Sequence, residues 1–133
     1  MRRALRAIVP CLALVLLVSA CSSSALASHA TVRIHYTHYE PDVLTVHAGE
    51  PLTLTLQNDD PIAHEWIVGT EEVHQRHRTG TDTFHDLPTE VSIPALSTRV
   101  TTVVFDTPGE YKYICHLPGH EAYGMVGTLR VVR

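Results

Sequence analysis

CHLPGHEAYGM, residues 115–125, carries a cysteine, a histidine five positions on (His120) and a methionine five beyond that (Met125). A soft thiolate, an imidazole and a thioether on one short segment suit copper better than any other common biological metal. A mononuclear electron-transfer copper site takes two His and one Cys in a trigonal plane, with a weak axial Met. The segment supplies three of those four groups. A histidine from elsewhere must supply the fourth. The plainer alternative makes Cys115 a buried core thiol and Met125 a gap-filler. The C-x4-H-x4-M order between two strand-like stretches, with a distant upstream histidine, argues against it.

Outward from this segment the chain reads as β-structure. Tyr111, Tyr113 and Cys115 share one face of the approach, and Gly127 to Val132 closes the chain on the other side. Upstream, Val32, Ile34 and Tyr36 alternate with polar residues, as do Leu52, Leu54 and Leu56. Val43–Val46, Trp66–Val68, Val91–Ile93 and Thr98–Phe105 add further strands. Turn signals at Pro41-Asp42, Ala48-Gly49, Asn58-Asp59-Asp60-Pro61 and Thr107-Pro108-Gly109 separate them. Seven to eight short strands at this spacing predict an all-β, Greek-key sandwich. A loop or short helical insertion is expected around 70–90, with helical periodicity at Glu71–Arg78.

The segment EYKYICHLPGHEAYGMVGTLRV resembles the C-terminal copper loop of the cupredoxins, the family of plastocyanin, azurin and auracyanin. The matching features are the β-type approach to Cys115, the Pro118-Gly119 turn before His120, and Met125 followed by Gly127 and a strand. The resemblance extends back to His64 and implies one copper ion cycling between Cu(I) and Cu(II). His64 is the best fourth ligand on its own context as well. It follows a turn and precedes the apolar run Trp66-Ile67-Val68, which puts it at a sheet end. Many cupredoxins place Asn after that histidine to tie the two ligand loops together. This chain has Glu65, so the support around the ligands differs. The stretch AHEWIVG is similar to periplasmic cupredoxins associated with copper tolerance. The resemblance further makes His120 the electron port, surrounded by an apolar patch of Leu117, Pro118, Ala122 and Tyr123. Such a patch suits a transient redox partner and a small interface, at or below roughly 1,200 Å².

Three other chemistries are weaker fits. Multicopper oxidases flank the cysteine with histidines on both sides, but here Ile114 occupies one flank of Cys115 and His116 the other. A binuclear copper loop needs two cysteines, and this loop has one. A Cys-His protease would leave Met125 without a role. The expectation is therefore a non-enzyme, and a monomer.

The N-terminal residues read as an export segment. Arg2, Arg3 and Arg6 precede the apolar run Leu12–Val18, too short to span a membrane comfortably. Val18-Ser19-Ala20-Cys21 resembles a bacterial lipoprotein signal, which makes residues 1–20 the signal, Cys21 the lipidated residue, 21–29 a Ser-rich tether and 30–133 the copper-binding domain. An ordinary signal cut near Ala27 is the alternative. The reading places the protein outside the cytoplasm, lipid-anchored at a membrane face or in the periplasm. Loss of residues 1–20 takes three arginines and no acid, so the formal charge moves from -4 to -7, which gives no encouragement to nucleic-acid binding. Cys115 is then the one thiol left in the domain, and no disulfide is available.

The remaining candidate is in the insertion. Glu71, His74 and His77 recur every third position, and on a helix such residues share a face. His85 follows the Thr79-Gly80-Thr81 turn that could fold it back. Two or three imidazoles and a carboxylate suit a second Cu(II) or Zn(II); a solvated polar loop is the plainer outcome. Two functions follow from these readings. One is single-electron transfer with a transient redox partner. The other is copper binding or tolerance, sequestering or delivering the metal, which the histidine surplus favours.

Overall fold

A computed structural model describes residues 28–81 and 86–133. The expected signal, Cys21, nearly all of the tether and His85 lie outside these residues.

Nine strands and one helix follow in the order β1 (His29–His35), β2 (His38–Glu40), β3 (Val43–His47), β4 (Pro51–Asn58), β5 (His64–Gly69), α1 (Glu71–Thr79), β6 (Glu90–Ile93), β7 (Thr98–Val104), β8 (Gly109–Ile114) and β9 (Val126–Val132). They form a Greek-key β-sandwich of two sheets, one ordered β2-β1-β4-β7 and the other β3-β9-β8-β5-β6. β1 runs parallel to β4 and β3 parallel to β9; the other pairs are antiparallel.

Strict alternation makes the sandwich. Along β4, Leu52, Leu54 and Leu56 point inward and are buried. They meet Val32 and Ile34 of β1 on their own sheet, and Trp66, Val68, Tyr113, Leu129 and Val131 of the facing sheet. Burying each large aliphatic side chain contributes about 1.5–3 kcal/mol. The last inward position of β4 is polar. Asn58 is buried there, and its Nδ2 donates to the carbonyls of Ile62 (2.8 Å) and Pro94 (2.9 Å), while its Oδ1 accepts from the Asp60 N–H (3.0 Å). An inward asparagine at the rim of the core therefore pins the 59–63 loop that leads into His64.

Two details differ from the sequence reading. The strand β2 has three residues, too few to show alternation. Tyr36 does not continue β1: it sits in the two-residue turn to β2 with φ 51° and is exposed. Helix α1 is fully formed, with Glu71 and Glu72 in its first turn, Arg76, His77 and Arg78 in its last, and Gly80 in the left-handed region (φ 67°) as its C-cap. Its buried side chain is His74.

Candidate metal centre

The 115–125 segment is the loop of the β8–β9 hairpin. The ladder ends with Ile114 opposite Val126, and one further bond, Cys115 N–H to the Met125 carbonyl at 3.3 Å, places Cys115 and Met125 side by side at the base of the loop. Next comes Leu117-Pro118-Gly119-His120, with Pro in the second position, Gly119 at φ 85° in the third, and the His120 N–H on the Leu117 carbonyl at 3.0 Å. These are the marks of a type II turn, whose third position needs a positive φ. The turn doubles His120 back over Cys115. The Met125 N–H then bonds the His120 carbonyl at 3.1 Å and closes the loop.

Strand β5 delivers the remaining group. It pairs with β8 through Ile67–Ile114 and Val68–Tyr113, so the same register continued brings its first residue, His64, alongside the loop that leaves β8. Beneath, Tyr113 fills the space over Gly127, where a Cβ would fall 2.0 Å from the tyrosine ring. Only glycine permits that packing.

His64, Cys115 and His120 each offer one ligand atom, all within 4.8 Å of one another; among the described residues this is the one such group of three. His64 Nδ1 lies 3.2 Å from His120 Nδ1, and Cys115 Sγ lies 3.3 Å from His120 Nδ1. His64 and Cys115 are buried, and His120 is the partly exposed member. Met125 is fully buried in the same cluster as Cys115.

The hydrogen bond behind His64 sets which of its nitrogens carries the proton. His64 Nε2 lies 2.9 Å from Asp60 Oδ2. An ionised carboxylate only accepts, so Nε2 carries the imidazole proton and Nδ1 presents a bare lone pair to the other two donors. Burial works against the Asp60 charge, but hydrogen bonds from the Thr37 and Tyr36 N–H groups and from His64 hold the carboxyl below its usual range. Burial also lowers the basicity of His64. Two converging imidazole nitrogens and a sulfur are the donor set of a soft or borderline cation.

Burial pushes the Cys115 thiol up to about 11. The metal-free protein therefore holds it as an unreactive thiol, and a metal must displace the proton. The sulfur already accepts from the Glu65 backbone N–H at 3.4 Å. The Glu65 side chain also has a structural place. Burial raises its carboxyl, opposed by a hydrogen bond from the His116 backbone N–H. The residue that stands where many cupredoxins carry Asn thus still links the two ligand-bearing segments.

The second candidate group assembles differently from expectation. His74 and His77 do share a face of α1, but they face His116. His74 Nδ1 lies 3.0 Å from His116 Nε2, and the His77 ring stacks on that of His116 with centroids 5.4 Å apart. Glu71 is drawn off by Arg78 (2.6 Å), whose guanidinium also holds Glu121 of the 115–125 loop. His85 lies outside the described residues. The signal for His116 was available: β-alternation sends it to the side of the strand end opposite Cys115. Of the expected partner patch, Pro118, Ala122 and Tyr123 are exposed and Leu117 is half-buried.

These features define a copper protein of the cupredoxin class. The chain belongs to the family of the cupredoxin-like domain, which matches residues 9–129. It is similar to the copper-resistant cuproprotein CopI of Rubrivivax gelatinosus, at 29% identity over 114 residues, spanning 80% of this chain and 69% of that protein. Among solved structures, its fold matches the dithionite-reduced auracyanin of Roseiflexus castenholzii, with a TM-score of 0.70 at 18% identity, covering 81% of this chain and 99% of that one. Auracyanin B matches with a TM-score of 0.65 at 25% identity, covering 79% and 88%. Family and donor set together make one copper ion the cofactor.

Proposed function

We propose that His64, Cys115, His120 and Met125 hold the copper and that the protein passes single electrons to and from a transient partner. The observation that carries this reading is the convergence of the His64, Cys115 and His120 donor atoms, with the tautomer of His64 already set. When bound, the metal supplies a one-electron couple between Cu(I) and Cu(II). The protein's part is to hold the donors still. Cys115 and Met125 are fixed by the hairpin ladder, His120 by its turn, and His64 by β5 and Asp60, so the set has little freedom to rearrange between oxidation states. His120 is the exit, being the partly exposed member beside Pro118, Ala122 and Tyr123. The protein works outside the cytoplasm, tethered through Cys21, and functions as a monomer without catalysing a substrate reaction of its own.

A second reading, copper resistance by sequestration or delivery, is supported by the similarity to CopI and by the histidines that α1 brings against the 115–125 loop. Under it, His74, His77 and His116 would take up further copper beside the first site. Retention of the metal separates the two. The electron-transfer reading expects the copper to survive repeated reduction and reoxidation in the presence of a Cu(I) chelator of modest affinity. Loss of the metal to that chelator on reduction favours delivery and overturns electron transfer as the main role.

A further inference from the structure

The 59–63 loop carries a buried group whose role none of the ligands accounts for. Asp60 is 5% exposed. Its Oδ1 accepts from the Tyr36 N–H at 2.8 Å, and its Oδ2 accepts from the Thr37 N–H at 2.8 Å and from His64 Nε2 at 2.9 Å. His35 Nδ1 stands 3.8 Å from Oδ1. A carboxylate is an expensive group to bury unless charge or hydrogen bonds compensate it. Here three N–H donors do so, and two of them come from a strained turn. Tyr36 and Thr37 both have positive φ, at 51° and 61°, a conformation that two-residue hairpin turns require and that Asn-Gly usually supplies. Side chains such as Tyr and Thr adopt it only where the surroundings over-determine it. The chain holds a strained turn and a buried charge against each other, and the third bond of that carboxylate goes to His64.

We propose that Asp60 is the positioning residue of the copper centre: it fixes the His64 tautomer and, through the imidazole, places a negative charge that favours Cu(II) over Cu(I). The inference rests on the ligand assignment above. Its physical basis is that partners of a metal-bound imidazole orient the ring and raise its basicity. Asparagine cannot replace the carboxylate. Three donors converge on its two oxygens, and an amide has one oxygen and an NH2 group that only donates. Either a turn N–H or the imidazole N–H must face that NH2, and in the second case His64 is driven to the wrong tautomer.

The test is Asp60→Asn in the full domain, with Cu(II) and Cu(I) affinities each measured by chelator competition. The ratio of Cu(II) to Cu(I) affinity is expected to fall at least about tenfold, which for a one-electron couple is a rise in potential of about 59 mV. A role confined to folding would lower stability and leave that ratio alone. Should Asp60→Asn not fold, the same change is made in a Tyr36→Gly/Thr37→Gly background, where the turn no longer needs the carboxylate to hold it. The unaltered protein gives an independent reading through 15N NMR of its metal-free form, where no metal on Nδ1 dictates the tautomer and His64 is expected to be protonated at Nε2. An unchanged affinity ratio in a variant that keeps its thiolate-to-copper colour, or a His64 protonated at Nδ1, overturns the proposal. Absence of that colour from the unaltered protein would instead break the ligand assignment itself.

Discussion

Cys115 and His116 are neighbours at the end of β8, yet they belong to two different histidine groups. Cys115 turns to His64 and His120, and His116 turns to His74 and His77. Both groups are largely buried and rich in imidazole, and the difference between them lies in the third donor. In the first, Asp60 takes the His64 N–H and leaves a lone pair aimed at other donors. In the second, His74 Nε2 lies 3.1 Å from the Lys112 carbonyl, which can only accept, so that nitrogen carries the proton. His74 Nδ1 is then the acceptor, and it is used by His116 Nε2 at 3.0 Å. His64 Nδ1 faces an imidazole nitrogen in the same way, 3.2 Å from His120 Nδ1, but there Cys115 Sγ joins the pair at 3.3 Å from His120 Nδ1. A pair of facing imidazoles is thus a candidate metal centre when a third donor converges on it, as Cys115 does on His64 and His120 and as no third donor does at the same reach on His74 and His116 among the described residues.

The largest expected effect is at the thiolate. Cys115→Ser should abolish the intense charge-transfer colour of the Cu(II) form, because a hydroxyl is a hard, weak donor that stays protonated, whereas His116→Gln should keep it. Colour surviving in the serine variant would dissolve the distinction between the two groups. Met125→Leu should retain copper and raise the potential, since loss of a weak axial donor disfavours Cu(II). A fall in potential, or loss of the metal, would remove Met125 from the ligand set.

Acid offers a subtler probe of the second group. Burial lowers the basicity of His74. The unfolded chain binds a proton near pH 6.5 that the folded chain refuses, so the stabilising contribution is whole above that pH and is lost as pH falls toward the depressed folded value. Denaturant melts of the metal-free domain should show stability declining below pH 6.5, by up to about 1.4 kcal/mol per unit for this one histidine. His74→Leu should flatten the decline, and an identical slope in both proteins would contradict a neutral, buried His74. The smallest expected effect is none. His74→Ala/His77→Ala should leave copper stoichiometry at one per chain with unchanged affinity. A second equivalent lost in that variant would show that the second group binds metal after all.

Much of the first group was legible because the hairpin loop writes its donors in order. Cys115, His120 and Met125 are close in sequence as well as in space, and His64 announces itself between a turn and an apolar run. Asp60 was not legible. Asn58-Asp59-Asp60-Pro61 reads as a turn, and only the fold shows that Asp60 faces a turn from β1 and β2 and a ligand four residues on. The second group was half legible. Spacing put His74 and His77 on one helix face, but their partner is 39 residues beyond His77, on another element, and no local period connects them. The helix itself shows little apolar periodicity because what it buries is a histidine. Tyr36 was misread for a related reason: a strand pattern can run on into a turn when a buried carboxylate holds that turn in a conformation its residues disfavour.

One group of histidines is proposed to bind copper and its neighbour to leave the metal alone. Titration of the metal-free domain with Cu(II), followed together by absorption and EPR, distinguishes the two groups. A thiolate-to-copper band and a single EPR species should grow together to one equivalent and stop. An EPR signal that grows without the band, or a second species of comparable affinity beyond one equivalent, would contradict this assignment.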